Sequence, residues 1–477
     1  MKQAVRLAAP ILVLLSFSAL AACEDSTSGE TPTPDAGPID IDAGGGQDGG
    51  DPPVPSKCPA PTAPPVEHKT QINADETWGA GYHDVTFDIS IRNATVTIEP
   101  CAIVRVVPSR GIQVGFSGST PGKIIAKGTA DLPIVFEAKE PGKKWGGILI
   151  NPAATADLAY VTIKEGGDVA SSRGGGALHL LGDQTKPIQY LATADHVTFE
   201  NSPKYGVIVE AHAAFTAESR DLVIKGSGDA AMRIPLFSAS TLPTGSYTGN
   251  TLDAIRLMGS SNIDYVTDGD VTLHDRGVPY VVGGDGAFPE LSVNSTTVGT
   301  APLLTIEAGV TLKFAKHDSS GIFVERASTT NPARGALQIL GTAQKPVVLT
   351  SNEAAPAAGD WVGIFMRGLP DPRNKIDFAR IEYAGHDTGT SGFSCGTPAS
   401  PNPGSNEAAI AIFGQPNSAF VTNTTILKSG ANAIERAWTG TPVDFLPTNT
   451  FTDNTYCRQT FPRPASPGTC PDPAPCD

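Results

Sequence analysis

The chain lacks the charge balance, the cysteine spacing and the helix signals that characterise several common classes of protein. Its formal net charge is −15 over 477 residues, with 34 basic and 49 acidic side chains. A nucleic-acid-binding protein needs a basic excess to neutralise phosphates, so this class is excluded. No C-x-x-C pair occurs, which argues against a zinc knuckle. No segment combines helical periodicity with start and stop signals.

The residue combinations of familiar active sites are also absent from the sequence. It contains no Gly-x-Ser-x-Gly elbow, no phosphate-binding glycine loop and no adjacent pair of aspartates in its main body. Asp268-Gly269-Asp270 offers two acids, but two acids flanking a glycine usually form a turn. The histidines show no pair at metal-ligand spacing; they are His68, His83, His179, His196, His212, His274, His317 and His386. We therefore expect no metal and no cofactor, and no sequence feature supports calcium.

What the chain does contain, after about residue 66, is a series of short apolar runs. Valine, isoleucine, leucine, threonine and phenylalanine cluster in runs such as 96–98, 103–107 and 134–136. Glycine, asparagine, aspartate or proline interrupts them every few residues, as expected for short strands bounded by turns. The sequence therefore predicts an all-β body.

This body repeats itself once. Five motifs occur twice in the same order: 96–100 with 304–308, 127–130 with 340–343, 133–135 with 346–348, 145–148 with 361–364, and 160–164 with 378–382. The matches predict two homologous halves in tandem, at 67–240 and 241–460. Trp145 and Trp361 occupy matching places, which favours a shared packing role over a sugar-binding platform.

Within each half the strand motifs recur at the period of a solenoid. Stacked coils bury together the apolar residues that one coil cannot bury alone. About 22 residues per coil would give about 17 coils, each adding a strand about 4.8 Å further along a parallel β-helix. An array of β-sandwiches is the alternative fold, but it would require tight hairpins, and few Asn-Gly or Asp-Gly turns are present.

The repeated motifs resemble those of bacterial right-handed parallel β-helix lipoproteins, a largely uncharacterised family. The shared elements are Thr-Ile-Glu-Pro/Ala, Gly-Thr-Ala-x-x-Pro-Ile and Trp-Gly-Gly-Ile, and they extend over most of the chain after Gln71. The resemblance implies a right-handed parallel β-helix, but it implies no particular activity. One departure is Cys101, because the family commonly has a glycine there and the second half keeps Gly309.

The N-terminus has the layout of an export signal. Lys2 and Arg6 precede an apolar run at 7–20 that is too short for a membrane span. The following Leu-Ala-Ala-Cys23 resembles a bacterial lipobox, which implies a signal peptide over 1–22 and a lipidated Cys23. Because Glu24 is not the aspartate that commonly signals inner-membrane retention, we expect a lipid anchor in the outer membrane.

Composition changes again on either side of the body. Residues 23–66 are rich in proline, glycine and aspartate and predict a disordered tether, and 461–477 form a Cys- and Pro-rich tail. Six further cysteines in an exported chain predict disulfides. We expect Cys58 to pair with Cys101, and Cys395, Cys457, Cys470 and Cys476 to pair among themselves.

Right-handed β-helices often degrade acidic polysaccharides, and fragments of the corresponding motifs are present. The lyase-like Asp195-His196 lacks the preceding Trp-Ile, and the run that begins with Arg233-Ile234-Pro235 has Ser238 in place of its second arginine. The segment most similar to a galacturonide hydrolase motif is Gly385-His386-Asp387. These motifs are incomplete, so the sequence favours a non-catalytic role and leaves enzymatic activity undecided.

Two glycine-rich loops are the candidate binding segments. One, at 167–176, contains Arg173, and the other, at 386–407, contains His386, Asp387 and Phe393. Because both follow the same Ile-x-x-Gly strand, we expect both on one side of the helix, where inserted loops usually bind partners. Tolerated surface insertions are the alternative.

We therefore predict a monomeric, lipid-anchored envelope protein that binds a polysaccharide or a surface protein. A polysaccharide lyase or glycoside hydrolase with a non-standard active site is the first alternative. A purely structural envelope protein is the second.

Overall fold

The computed structural model describes residues 56–169, 175–258, 269–284, 289–295, 301–324, 334–368, 370–386 and 407–462. The predicted signal peptide, most of the tether and nearly all of the tail lie outside these residues. So do Cys23, Arg173, Asp387, Phe393, Cys395, Cys470 and Cys476. Within the described ranges, no helix has the length and apolar character needed to cross a membrane.

The described secondary structure consists of strands and one short 3₁₀ helix. The first strands are β1 (Val66–His68), β2 (Glu76–Trp78), β3 (Gly81–Val85), β4 (Ile89–Ile91), β5 (Thr95–Ile98), β6 (Ala102–Val106), β7 (Ile112–Val114), β8 (Gly122–Lys127) and β9 (Ile134–Ala138). Next come β10 (Ile148–Ile150), β11 (Ala154–Lys164), β12 (Gly176–Leu181), β13 (Gln189–Glu200), β14 (Tyr205–Glu210), β15 (Ala213–Phe215), β16 (Leu222–Lys225) and β17 (Ala230–Pro235).

The 3₁₀ helix (Leu236–Thr241) separates these strands from the rest. After it come β18 (Gly245–Ser246), β19 (Leu252–Met258), β20 (Val271–Leu273), β21 (Tyr280–Val282), β22 (Glu290–Val293), β23 (Leu303–Glu307), β24 (Thr311–Phe314), β25 (Gly321–Val324) and β26 (Ala336–Leu340). The last strands are β27 (Val347–Ser351), β28 (Gly363–Met366), β29 (Lys375–Asp377), β30 (Ala379–Glu382), β31 (Ala408–Ile412), β32 (Val421–Thr422), β33 (Thr425–Leu427), β34 (Asn432–Arg436) and β35 (Thr450–Thr452).

The strands pair in parallel with strands of neighbouring coils, so the fold is a parallel β-helix. The longest sheet has 13 strands, in the order β4-β7-β10-β12-β14-β17-β19-β21-β24-β27-β30-β33-β35. Strands of the first half also form a 12-stranded sheet. Strands of the second half form two five-stranded sheets, β20-β23-β26-β29-β32 and β22-β25-β28-β31-β34. This confirms the predicted fold class.

The core lies inside the coils and follows from the alternation of side chains along each strand. In β6, for example, Ala102, Val104 and Val106 are buried, while Ile103 and Arg105 lie on the outer face and are partly exposed. Because successive side chains of a strand point to opposite faces, one set from each strand fills the interior. Stacking then makes a single continuous core from residue 72 to residue 445.

Backbone conformation supports the duplication. Tyr160 and its counterpart Phe378 both have φ of 50°. This φ lies in the left-handed region, which most residues avoid. Both residues occupy it where the chain turns from one strand segment to the next. Cys101 (φ 66°) and Gly309 (φ 89°) form a second matched pair.

The two halves differ in which sheet their equivalent strands enter. In the first half, the second strand of a coil, such as β6, joins the 12-stranded sheet, and the third strand, such as β7, joins the 13-stranded sheet. In the second half, β24 is the equivalent of β6, yet it belongs to the 13-stranded sheet. The second half is therefore offset by one sheet around the helix axis.

One sequence expectation about the body is corrected. Along the 13-stranded sheet, from Ile89 to Thr450, one coil takes about 30 residues rather than 22, so there are about 13 coils. The estimate was too small because coil length varies: the coil from Ile89 to its register partner Ile112 takes 23 residues (112 − 89), whereas that from Ile381 to Ile426 takes 45 (426 − 381). Near the C-terminal end of the predicted tether, Cys58 is disulfide-bonded to Cys101 and Lys57 pairs with Asp131.

The predicted pairing of Cys58 with Cys101 is thus present. Cys457 is disulfide-bonded as well. The pairing of Cys395, Cys457, Cys470 and Cys476 among themselves stays a prediction, because the other three lie outside the described residues.

Candidate functional site

A line of charged side chains runs along the outer face of the 13-stranded sheet. The strand register places His179, Ile208, Arg233 and Arg256 side by side on β12, β14, β17 and β19. The same line continues through Val281 to Lys313 on β24. We call His179, Arg233, Arg256 and Lys313, with the acids Glu210 and Asp229 beside them, the charged row.

Glu210 connects the first two bases of the charged row. Its Oε2 lies 3.0 Å from His179 Nε2, and its Oε1 accepts a hydrogen bond of 3.2 Å from Arg233. The hydrogen bond from His179 is the main cause that lowers the pKa of the Glu210 carboxyl, and Arg233 adds to it against the opposing effect of burial. Glu210 is therefore ionised at neutral pH.

Asp229 holds the next arginine in the same way. Arg256 donates to Asp229 Oδ1 from Nε (3.0 Å) and from a terminal nitrogen (2.9 Å), and its other terminal nitrogen donates to Gly283 O (3.3 Å). Tyr205 donates to the second carboxylate oxygen of Asp229 at 3.2 Å. The Arg256 side chain is only 13% exposed, so its guanidinium is held in one orientation.

The geometry explains how two like charges can lie next to each other. Arg233 and Arg256 are register neighbours on strands about 4.8 Å apart, and like charges directly opposite one another destabilise a sheet. Glu210 and Asp229 offset this repulsion. Guanidinium groups bind carboxylates well, and in the row both are already bound by the protein's own carboxylates, Arg233 by Glu210 and Arg256 by Asp229.

No sequence motif identifies the charged row as a unit. Its members lie 23 to 31 residues along the chain from their hydrogen-bond partners, as in Arg233–Glu210 (23), Arg256–Asp229 (27) and His179–Glu210 (31). Only a search for outward-facing charges at the coil period would have found them, and that search needs the coil length and the register.

A second charged cluster lies at the corner between two segments of the 12-stranded sheet and includes the predicted Asp195-His196. His196 Nδ1 lies 2.6 Å from Asp195 Oδ1, and its Nε2 lies 3.4 Å from Asp221 Oδ2. Arg220 donates to Asp195 at 2.7 Å, and the Tyr160 ring stacks on His196 with 4.5 Å between centroids. Among the described residues this is the one group of three metal-ligand types brought together, but Asp195 is already engaged by both His196 and Arg220.

The structure does not bring the two lyase-like fragments together. Asp195 and His196 belong to β13 in the 12-stranded sheet, whereas Arg233 lies on β17 in the 13-stranded sheet. Ser238, in the place of the second arginine, is buried and donates to Ala213 O at 2.7 Å.

Both matched tryptophans are fully buried, which confirms the predicted packing role. The Trp145 indole donates to Lys164 O at 2.7 Å, and the Trp361 indole donates to Glu382 O at 2.8 Å. Each packs on a phenylalanine: Trp145 on Phe136 of the same coil, and Trp361 on Phe314 of the preceding coil.

Of the predicted loop residues, only His386 is described. Its Nδ1 lies 2.7 Å from Gly359 O and its Nε2 lies 3.1 Å from Asp318 Oδ1. Residues 170–174 and 387–406 lie outside the described residues, so the expectation that both loops leave on the same side stays a prediction. The strands that flank the loops enter different sheets: the first loop connects β11 of the 12-stranded sheet to β12 of the 13-stranded sheet, and the second connects β30 of the 13-stranded sheet to β31 of a five-stranded sheet.

A third polar group lies at the N-terminal end of the helix, beside a cavity of about 460 Å³. The rings of His68 and His83 stack with Trp78, and His68 Nε2 lies 3.0 Å from His83 Nδ1. Burial, together with the nearby His83, lowers the pKa of His68 to about 4. His68 is therefore neutral at physiological pH.

Comparison with known proteins finds one similarity. Residues 291–393 match the family model described as a pectate-lyase-like β-helix domain, a segment that runs from β22 to the loop after β30. No curated protein and no solved structure matches the chain. The similarity agrees with the parallel β-helix and suggests a polysaccharide-related role.

Proposed function

We propose that this protein is a lipid-anchored envelope component that binds polysaccharide along the charged row without cleaving it. The observation that carries the proposal is the alignment of His179, Arg233 and Arg256 on one face of a β-helix, of which a later segment, 291–393, is similar to a pectate-lyase-like domain. A polymer lying parallel to the helix axis would contact successive coils. Its carboxylates would compete with Glu210 and Asp229 for the two guanidinium groups.

Binding to Arg256 gives a direct test. Charge-assisted hydrogen bonds contribute about 1.5–3 kcal/mol each, so Arg256→Gln should weaken binding of an acidic polysaccharide such as polygalacturonate about 10- to 100-fold. Calorimetry with the full chain and a panel of acidic and neutral polymers measures this. The matched control is Arg105→Gln, because Arg105 also pairs with an aspartate, Asp84, but on the 12-stranded sheet.

Equal affinities of wild type and Arg256→Gln for every bound polymer would refute the proposed surface. Failure of the wild-type chain to bind any polymer would instead favour a structural role in the envelope.

Polysaccharide lyase activity is the second candidate. The observation in its favour is the convergence of His179, Glu210 and Arg233, with distances of 3.0 and 3.2 Å, because a positioned base beside cationic groups can serve proton transfer. Unsaturated uronates released from the same polymers, and lost in His179→Gln, would establish the enzyme. New reducing ends without unsaturated products would indicate hydrolysis.

The membrane anchor is tested separately. The leader before Cys23 is the feature that supports it, and two or more acyl chains are needed for stable attachment. Cys23→Ser should abolish incorporation of labelled palmitate and release the protein from the outer-membrane fraction. Unchanged membrane association of the variant would exclude lipidation at Cys23 as the anchor.

A further inference from the structure

A cavity of about 490 Å³ lies at one edge of the five-stranded sheet β20-β23-β26-β29-β32. Two segments form its walls, 370–374 and 416–420, which precede β29 and β32 in successive coils. The volume is within the range of about 300–1,000 Å³ that is common for small-molecule sites. The walls contain Pro370, Pro372 and Pro416, and proline restricts the backbone. We therefore expect the walls to hold their shape before a ligand binds.

Arg373 is held in one orientation at this cavity. Its Nε and one terminal nitrogen donate to the Asp371 carboxylate at 3.0 and 2.9 Å, and the same terminal nitrogen donates to Ala301 O at 2.6 Å. Among the residues that the structure describes, the other terminal nitrogen, Nη1, has no hydrogen-bond partner. The side chain lines the cavity and is 39% exposed, so Nη1 is available as a donor to a bound molecule.

The cavity also contains groups that accept hydrogen bonds. Gln338 Nε2 donates to Arg373 O at 3.0 Å, which leaves its amide oxygen Oε1 as an acceptor. The Asn417 amide and the Ser418 hydroxyl line the cavity as well, and each can both donate and accept. In the described part of the chain, Gln338 Oε1 and these two groups have no hydrogen-bond partner. Phe420, which is partly buried, adds an aromatic ring to the lining.

The charges around the cavity are balanced by ion pairs. Arg373 pairs with Asp371 at 2.9 Å, and Lys375 pairs with Asp377 at 3.0 Å. An acidic ligand would have to compete with these carboxylates. A hydroxyl group both donates and accepts, so a molecule with several hydroxyls matches donors and acceptors that lie in one cavity. An aromatic ring among a few polar groups suits the apolar face of a sugar.

A row of uncharged polar residues leads along the sheet to the cavity. The strand register places Thr272, Thr305 and Gln338 side by side on β20, β23 and β26. The alternating burial of β23 places Thr305 on the outer face. Because neighbouring strands are about 4.8 Å apart, a polymer that extends from the cavity along the helix axis would pass one of these side chains in each coil.

We propose that this cavity and the adjoining threonines bind a neutral glycan, with one sugar ring against Phe420 and its hydroxyls bonded to Arg373 Nη1 and Gln338 Oε1. The next sugars follow Thr305 and Thr272. The site lies on a different sheet from the charged row, so it does not depend on the binding of an acidic polymer there. The two surfaces differ in the chemistry that they recognise.

The test uses the full chain and four hexasaccharides. Three are neutral, of β-1,4-linked glucose, mannose or xylose, and the fourth is hexagalacturonate. Calorimetry should detect binding of at least one neutral probe, and added salt should not weaken it, because the probe carries no charge to be screened. Arg256→Gln, in the charged row, should leave this affinity unchanged. The neutral site and the acidic-polymer site therefore succeed or fail separately.

Substitutions that remove single groups then locate the site. Asn417→Ala and Thr305→Val should each weaken binding of the neutral probe about 2- to 10-fold, as expected for the loss of one hydrogen bond. Thr97→Val is the matched control, because Thr97 is the counterpart of Thr305 in the first half and lies in the 12-stranded sheet. It should leave the affinity unchanged. Phe420→Leu keeps an apolar side chain but removes the flat ring, and should weaken binding about 3- to 10-fold.

Arg373→Lys keeps the charge but loses the second terminal nitrogen, and should weaken binding about 10-fold. Circular dichroism and urea midpoints check that each variant folds; Asn417 is exposed and Thr305 partly exposed, so their substitutions should preserve the fold. The proposal is overturned if wild type binds none of the three neutral probes, or if Asn417→Ala, Thr305→Val and Phe420→Leu all bind as wild type does. Displacement of the neutral probe by hexagalacturonate would also overturn it, because an acidic ligand would then occupy the cavity.

Discussion

The disulfide between Cys58 and Cys101 combines a favourable crosslink with an unfavourable backbone conformation. The bond closes a loop with a sequence separation of 43, for which the chain-entropy relation gives about 4 kcal/mol at 25 °C. Cys101, however, has a φ of 66°, and the left-handed region costs an L-residue about 1–2 kcal/mol. Removal of the crosslink should therefore have two separable effects.

Two double variants separate them. Cys58→Ser with Cys101→Ala should lower the free energy of unfolding by about 4 kcal/mol. Cys58→Ser with Cys101→Gly should lose about 1 kcal/mol less, because glycine adopts this conformation freely. Gly309 is the counterpart with φ of 89°, and a Cβ there would lie 2.6 Å from Asp275 Oδ2. Gly309→Ala should therefore destabilise the second half.

Urea unfolding followed by circular dichroism and tryptophan fluorescence measures these differences under oxidising conditions. The single variant Cys58→Ser provides a control for loss of this crosslink alone, because a reductant would also break the disulfide of Cys457. If the glycine double variant is no more stable than the alanine one, backbone strain at Cys101 is refuted. If both are as stable as wild type, the loop-entropy argument fails.

Further predictions concern buried groups. Trp361→Ala should cost about 3–5 kcal/mol and Trp145→Ala about 0.5–1.5 kcal/mol less, because Trp361 stacks on its phenylalanine at 4.2 Å and Trp145 at 6.5 Å. Urea midpoints measure this, and a loss of polymer binding without a loss of stability would contradict a packing role. Burial opposes ionisation of Asp360, but hydrogen bonds from the Ala357 amide, Ser351 and Lys316 keep its pKa below the usual value. Asp360→Asn should therefore cost about 2 kcal/mol near neutral pH. The wild-type advantage is fully present above the ordinary carboxyl pKa and is lost as pH falls through the lowered one, so unfolding curves that keep the same gap at low pH would disprove the linkage.

The β-helix and its duplication could be predicted because they are properties of local sequence. Strand alternation, as in β6, is encoded residue by residue, and the two copies preserve a tryptophan, Trp145 or Trp361, with the same indole hydrogen bond. The disulfide could be predicted for a related reason: Cys101 replaces a residue that the second copy keeps as glycine. Each of these features can be read by comparing one segment of the chain with another.

The sheet offset and the charged row could not be predicted, because both depend on register between coils. Nothing within β24 indicates that it will pair with β21 rather than continue the sheet of its counterpart β6. That choice depends on the chain between the halves. After the 3₁₀ helix Leu236–Thr241, β18 and β19 still join the 12- and 13-stranded sheets, and β20 is the first strand to enter a new sheet.

The offset gives one pair of equivalent residues different surroundings. Lys313 is the counterpart of Arg105 in the repeated motif, eight residues after Thr305 and Thr97 respectively. Arg105 pairs with Asp84 on the 12-stranded sheet, whereas Lys313 is aligned through Val281 with Arg256 on the 13-stranded sheet. If the charged row binds a polymer, Lys313 should contribute to the affinity and Arg105 should not.

Substitution of both residues tests this consequence. Lys313→Gln should weaken binding of an acidic polysaccharide by less than Arg256→Gln does, about 3- to 10-fold, because lysine lacks the forked geometry of a guanidinium. Arg105→Gln should leave the affinity unchanged, and added salt should reduce the effect of Lys313→Gln, since charges near the surface are screened. Calorimetry of the three variants decides the matter. Equal losses at Lys313 and Arg105 would show that overall charge, and not alignment along one sheet, governs binding.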